Sequence, residues 1–349
     1  MHDKSIVVVL KIKKMNYKYI ILLLYVFVLF SCNNKDSHIS NVSNFKVAKT
    51  IDPTISYIEG CSNPVDIVLT NKYYVVQSEV KGNQNQLYVY DKTNKTFLYS
   101  FAMRGHGNLE TIAMDMIQAP RGDTLEIIDQ AKYKIMKYCL KADKAELLSS
   151  KILKYENVGP LQEVYRLNDS IIMFNTLNNN LCVYNDVSNN VVSEYNVSDS
   201  IGTTDKDIAN FHFTLHDKEL CIGFRHINAI VLGKIGNDGK IVIDNLEKVR
   251  NLARKADNSM LYYVYVSMNK KNIVAQYMGY APGFIKKMAT NYNLYAPKFE
   301  LEIYSTSLVP LKHITLSTDM LRCKTDMCGK KAYTWDPLEL KTNIVCFDL

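Results

Sequence analysis

The sequence predicts an all-β fold, a six-bladed β-propeller closed by a strand from the N-terminal side. Three observations predict it. Short β-branched and aromatic runs, broken by Asn, Asp, Gly and Lys turns, fill residues 45–349 where long helical patterns are missing. One strand-like segment recurs six times. A run near the N-terminal end has no unit of its own, and the last unit lacks an outer strand.

The recurring segment has alternating large residues, an apolar or aromatic end and a polar turn. It reads Leu87–Tyr90, Ile135–Tyr138, Leu181–Tyr184, Ala229–Leu232, Leu301–Tyr304 and Ile344–Phe347. Its fourth positions step by 48, 46, 48, 72 and 43 residues. Five copies lead into a further run: Thr96–Met103, Glu146–Leu153, Val191–Val197, Lys240–Leu246 and Pro310–Leu316. One or two runs also precede each copy, which gives about four strands per unit, the size of a propeller blade. The sixth copy has no run after it. The orphan run Phe45–Ile51 is therefore expected to pair beside Ile344–Asp348, leaving no sheet edge open. The 72-residue step is one unit plus about 25 residues, which fall in Tyr277–Pro297, a loop punctuated by Gly and Pro with one helical turn over Ile285–Thr290. Loops of this length in compact domains are often functional.

Residues 1–31 read as a signal peptide, with the true start at Met1 or Met15. Lys11, Lys13, Lys14 and Lys18 form a basic region, and an apolar run of about 12 residues follows from Tyr19 to Phe30, too short to span a bilayer. Leu29-Phe30-Ser31-Cys32 resembles the lipobox of bacterial lipoproteins, with Phe30 bulkier than the usual residue. The resemblance implies lipidation of Cys32, followed by a linker over residues 32–44, and the repeat places a single domain over 45–349. Asn33, not Asp, follows the cysteine, which favours an outer-membrane lipoprotein on the periplasmic or cell-surface side.

The chain carries a formal charge of +7, and residues 1–31 hold five Lys and one Asp, so the remainder is near +3. With no basic run interleaved with aromatics, nucleic acid is not an expected partner. The expected partners are the membrane, through Cys32, and a glycan, peptide or envelope protein. Of the seven further cysteines, most lie singly in apolar runs and read as buried thiols. Cys323 and Cys328 form the one close pair, open between a hairpin disulfide and two thiols.

The leader, the repeat period and Met103-Arg-Gly-His-Gly-Asn-Leu-Glu110 together resemble the TolB-like six-bladed propeller lipoproteins. Arg104, Gly105, Gly107 and Glu110 fit the family's Gly-x-Gly turn, and Asn108 stands where Pro is usual. The resemblance implies fold and address, and no biochemical activity.

In a four-stranded blade, loops from outer strand to next inner strand share a face with loops from second to third strand. Arg104–Glu110 is of the first kind and Tyr277–Pro297 of the second, so both are expected around the channel mouth. Arg104 and His106 suit an anionic or hydroxyl-rich ligand, with Glu110 orienting them. Alternatively Gly105 and Gly107 take positive φ for a tight crossover, and Glu110 caps amides or pairs with Arg104. Tyr277, Tyr280, Tyr292 and Tyr295 suit stacking on sugars or clamping a peptide, or packing of the loop itself. His212, Thr214 and His216 share a strand face, with His226 nearby. The two histidines would be about 13 Å apart, too far for one metal ion. No nucleophile elbow, phosphate loop or dinucleotide fingerprint appears, so no cofactor is expected. Two functions stand beside a purely structural role: a binding or scaffold module using one propeller face, and a hydrolase or lyase with a His/carboxylate site at the channel mouth.

Overall fold

The computed structural model describes residues 44–51, 54–57, 60–61, 63–154, 161–176, 180–200, 210–243, 260–280, 299–316, 324–325, 331–335 and 343–349. Its architecture is an all-β propeller. Two strands come first in the chain, β1 (Val47–Ile51) and β2 (Thr54–Tyr57), and both join the last sheets. The first sheet holds β3 (Pro64–Leu69), β4 (Tyr73–Ser78), β5 (Asn85–Asp91) and β6 (Phe97–Met103). The second holds β7 (Met114–Ile117), β8 (Thr124–Asp129), β9 (Lys134–Leu140) and β10 (Ala145–Ile152). The third holds β11 (Gln162–Arg166), β12 (Ile171–Asn175), β13 (Asn180–Asn185) and β14 (Asn190–Asn196), after which a short helix, α1 (Val197–Ser200), follows. The fourth holds β15 (Phe211–His216), β16 (Glu219–Phe224), β17 (Ile230–Ile235) and β18 (Ile241–Ile243). The fifth holds β19 (Leu261–Met268), β20 (Asn272–Tyr280), β21 (Phe299–Ser305) and β22 (Pro310–Leu316) plus β1. The last is β23 (Lys324–Thr325), β24 (Lys331–Trp335) and β25 (Asn343–Asp348) plus β2. The recurring sequence segment is the third strand of each sheet.

Burial explains why the strands look as they do in sequence. The second strands are covered on both faces, so they read as unbroken apolar runs rather than alternating ones: every residue of β4 is buried. Outer strands such as β10 and β14 are largely exposed and mixed in character. Consecutive sheets share one apolar cluster each. Val75, Leu87 and Val89 pack with Met116, Leu125 and Ile127, and Ile128 and Ile135 with Ile172 and Phe174. Met173 and Leu181 pack with Phe213 and Ile222, and Cys221 and Ile230 with Tyr263 and Val266. Leu301 and Ile314 meet Ala332, and Tyr333 returns to Ile67, Tyr74 and Tyr90 of the first sheet. Of the cysteines, Cys61, Cys182 and Cys221 are buried, and burial pushes the Cys221 thiol up. Cys32, Cys323, Cys328 and the segment Ile285–Thr290 lie outside the described residues.

The closing strand differs from expectation. Val47–Ile51 does not reach Ile344–Asp348. It runs parallel to β22, Val47 opposite Lys312 and Ile51 opposite Leu316, as a fifth strand on the preceding sheet. The partner of β25 is Thr54–Tyr57, antiparallel, with Thr54 opposite Cys346 and Tyr57 opposite Asn343. Phe45 accounts for the placement of β1. It is 8% exposed and packs edge-on against Tyr304 at 5.3 Å, with the His313 ring at 5.6 Å. That anchor fixes the register of the following strand on the fifth sheet, while four of the five β1 residues stay exposed. The job of covering the β25 edge then falls to the next β-branched run.

Two predictions follow from this packing. A chain starting at residue 52 loses an added edge strand and the Phe45 anchor, is destabilised, and keeps a cooperative melt. A chain starting at residue 58 bares the β25 ladder and aggregates. Light scattering and thermal melts separate them, and equal behaviour would refute the assignment of β2 as the closing strand. The second concerns alkali. Burial raises the phenols of Tyr90, Tyr165, Tyr263 and Tyr277 above the ordinary value. The folded state therefore holds these protons more tightly than the unfolded chain does. The associated stability is complete below pH ~10 and declines as pH rises above it. In an alkaline titration followed by absorbance and circular dichroism, the phenolate signal of these four should appear only together with loss of structure.

Candidate functional site

The first strand of every sheet borders one central cavity of about 770 Å³. Each contributes a polar side chain to its wall: Asp66, Asp115, Glu163, His212, Tyr265 and Lys324. The first four recur at steps of 49, 48 and 49 residues. They stand among apolar neighbours, as in Met114-Asp-Met116 and Phe211-His-Phe213, because the flanking residues turn into the inter-sheet clusters. Ala113, Leu161 and Asn210, each just ahead of a first strand, also line the cavity, so it lies toward the end of the sheets at which those strands begin.

Most polar groups of the wall are paired with one another. His212 Nδ1 contacts Glu163 Oε1, and Glu163 Oε2 accepts the backbone N–H of Phe213 at 3.0 Å. Glu163 itself sits at φ 45°, in a register shift between Gln162 and Tyr165. A left-handed carboxylate in a β-bulge is a strained conformation of the kind found where a side chain is re-aimed at a site. Asp66 accepts from Gln118 Nε2 at 3.0 Å and lies 3.4 Å from Lys324 Nζ. Lys324 also donates to Gln118 Oε1 at 2.9 Å and sits 4.8 Å over the Tyr265 ring. Asp115 accepts from the Gln130 amide. Gln118, Tyr165, Tyr265 and Lys324 border a second cavity of about 100 Å³ as well, so they stand between the two and form the floor of the larger one. Tyr165 is hydrogen-bonded to Tyr265 and Thr214, and burial followed by the nearby Glu163 charge keeps its phenol protonated.

Three groups of the wall are left open. Gln130 Oε1, Asn175 Oδ1 and Arg225 Nε are buried without a hydrogen-bond partner among the described residues. All three residues lie where a second strand leaves its sheet. The Gln130 backbone N–H donates to Ala113 O at 2.7 Å, that of Arg225 to Asn210 O at 2.9 Å, and Asn175 opposes Gln162.

The residues singled out in sequence fall elsewhere. The Arg104–Glu110 turn precedes β7, at the end where the cavity lies, yet none of its residues lines the cavity. Arg104 Nη1 donates to Val80 O at 2.6 Å, not to Glu110, and His106 is exposed. Glu110 Oε2 accepts the Gly107 N–H at 2.7 Å. A Cβ on Gly105 would lie 2.1 Å from that oxygen, and one on Gly107 3.1 Å. Neither glycine has positive φ. Their role is to make room for a carboxylate folded into its own turn, whose outer carbonyls, Gly107 O and Glu110 O, accept from Lys132 Nζ at 2.8 Å. Tyr277 is not a rim residue. It is fully buried between the fourth and fifth sheets, edge-on to Tyr263 at 5.4 Å. Tyr280 ends β20 opposite Leu261, and Tyr292 and Tyr295 lie outside the described residues. The three histidines have different partners: His212 meets Glu163, His226 Nδ1 donates to Met260 O at 3.0 Å, and His216 Nε2 is 3.7 Å from Asp217.

No protein-family model matches the sequence, and no curated protein matches it. Solved structures do. The chain is similar to the β-propeller domain of Cps50 (Swd1) from Myceliophteria thermophila, at TM-score 0.52 and 9% identity over 84% of this chain and 99% of that one. It is similar to a putative exported protein from Bacteroides fragilis NCTC 9343, at TM-score 0.51 and 10% identity over 87% and 99%. A member of the DUF4221 family from Bacteroides vulgatus ATCC 8482 gives TM-score 0.50 and 11% identity over 86% and 99%. At such identities the likeness establishes a propeller fold.

The Gly105–Glu110 contact gives a prediction. Gly105→Ala displaces the carboxylate and should cost about 1.5–3 kcal/mol, the value of a hydrogen bond to a charged group. Glu110→Ala should cost a similar amount, and the double variant little more than either alone. Additive losses in denaturant melts would show that the two residues act independently.

Proposed function

We propose that the chain is an exported, lipid-anchored, six-bladed propeller of TolB-like type whose central cavity binds a polar ligand, the end of an envelope glycan or peptide. The leader and Leu29–Cys32 support the address, and the exported bacterial protein among the structural neighbours agrees with it. Six sheets, each lending its first strand to one cavity, support the blade count. The observation that carries the binding reading is the set of buried, unpartnered polar atoms on the cavity wall. Desolvating such a group unbonded costs roughly 1–3 kcal/mol, a cost that a hydroxyl-rich ligand would remove.

One observation favours a second reading, a hydrolase or lyase. The His212–Glu163 pair places a carboxylate on Nδ1 and leaves Nε2 as the nitrogen that exchanges protons.

Soluble residues 33–349 titrated with envelope glycan and peptide fragments test both. Binding should fall at least tenfold in Asn175→Leu and stay unchanged in His106→Ala and Arg104→Ala. The opposite pattern would move the site to the outer turn. Product formation abolished by Glu163→Gln, with binding retained, would establish the second reading over the first.

A further inference from the structure

The cavity's open valences specify the chemistry of what fills it. We infer that the ligand is an acidic sugar, a polyhydroxylated ring bearing a carboxylate, with Arg225 as the carboxylate-recognising residue. This rests on the cavity being the binding site.

Every carboxylate of the wall already has a partner: Asp66 has Gln118 and Lys324, Asp115 has Gln130, and Glu163 has His212 and the Phe213 N–H. Lys324 is likewise engaged, by Asp66, Gln118 and the Tyr265 ring. Arg225 differs. Its backbone is fixed on both sides, its N–H to Asn210 O and its carbonyl accepting from Tyr262 N–H at 2.8 Å. Among the described residues its guanidinium has no ion pair, and Nε is buried without a hydrogen bond. A guanidinium held by a fixed backbone at a cavity wall is a planar donor suited to a carboxylate in two-point contact.

The other two open atoms are amide oxygens, Gln130 Oε1 and Asn175 Oδ1, the second on a side chain 3% exposed. The Gln130 amide nitrogen is occupied by Asp115 and Leu161 O, which leaves its oxygen as the acceptor without a partner among the described residues. Both oxygens ask for donors. One cationic fork and two acceptors on the ends of three successive second strands thus match a molecule with an anion at one point and hydroxyls around it. Tyr133 on the same wall supplies a ring of the kind that stacks on sugars, whereas the Tyr265 ring is covered by Lys324.

The test is calorimetric titration of soluble residues 33–349 with galacturonic acid, its methyl ester, galactose and an acetylated dipeptide with a free C-terminal carboxylate. The acid should bind at least tenfold more tightly than ester or galactose. Arg225→Met should erase that preference while keeping the wild-type circular dichroism spectrum and melt. Arg225→Lys, which retains charge without the fork, should recover only part of it, and serves if the Met variant does not fold. Equal binding of acid and ester overturns this inference while leaving the cavity as the site. Binding of the dipeptide in preference to the sugar acid, lost in Arg225→Met, overturns the sugar assignment. A preference for the acid that survives in both Arg225 variants overturns the role of Arg225. No binding of any of the four probes overturns the acidic-sugar inference, and the wider panel of envelope fragments then decides separately on the cavity.

Discussion

The antiparallel pairing of Thr54–Tyr57 with Asn343–Asp348 is the constraint on which the rest depends. A propeller sheet is stable because each face is covered by a neighbour and each edge is short or paired. Here the final sheet draws three strands from one end of the sequence and one from the other. Without the fourth, the β25 ladder is open, and the packing of Tyr333 on Tyr74 and Tyr90 loses its support. That packing sets the position of the last sheet, and with it Lys324, the cation that bridges Asp66 and Gln118 across the floor of the cavity. A short β-ladder more than 250 residues apart in sequence thereby fixes a charge network at the centre.

The cavity and the inter-sheet clusters are two outcomes of one alternation. On a first strand, residues to either side of the polar position enter the clusters, while the polar one turns to the middle. The same strand that buries Met114 and Met116 presents Asp115. The centre is lined with polar groups because the edges of the first strands do not approach closely enough to exclude solvent, and side chains there find one another across the gap. Pairing consumes most of them. What remains unpaired is confined to the ends of the second strands, and this separates the structural part of the wall from the part free to meet a ligand.

Much of the architecture was legible in the sequence because the third strands, from Leu87–Tyr90 to Ile344–Phe347, repeat the same pattern at a nearly constant period. The closing strand was not, because Phe45–Ile51 and Thr54–Tyr57 have similar β-branched character. Only the three-dimensional slot beside Tyr304 and His313 tells them apart. The site was harder still. Arg104, His106 and Glu110 drew notice through a glycine-rich turn, and the turn proved to be serving its own carboxylate. The residues that do line the cavity are single polar positions inside apolar strands, which in isolation look like flaws in the pattern. The signal was present as a second periodicity, Asp66, Asp115, Glu163 and His212 at 48–49 residues, and it emerges only when the units are laid over one another. Arg225, Asn175 and Gln130 carry no such signal, since their open valence is a property of packing.

The mixed parentage of the last sheet has a kinetic consequence. During synthesis, sheets one to four and the four consecutive strands of the fifth can assemble as they emerge, from pairings between neighbours in sequence. The Ile67, Tyr74 and Tyr90 face of the first sheet must wait, wetted and sticky, until the final strands leave the ribosome. The nascent chain is therefore an open arc with an uncovered aromatic flank, the state in which a chain of this size is most exposed to misassembly and to chaperone capture. Completion of the arc is also the moment at which the central wall acquires Lys324, so binding competence and escape from that vulnerable state arrive in a single step.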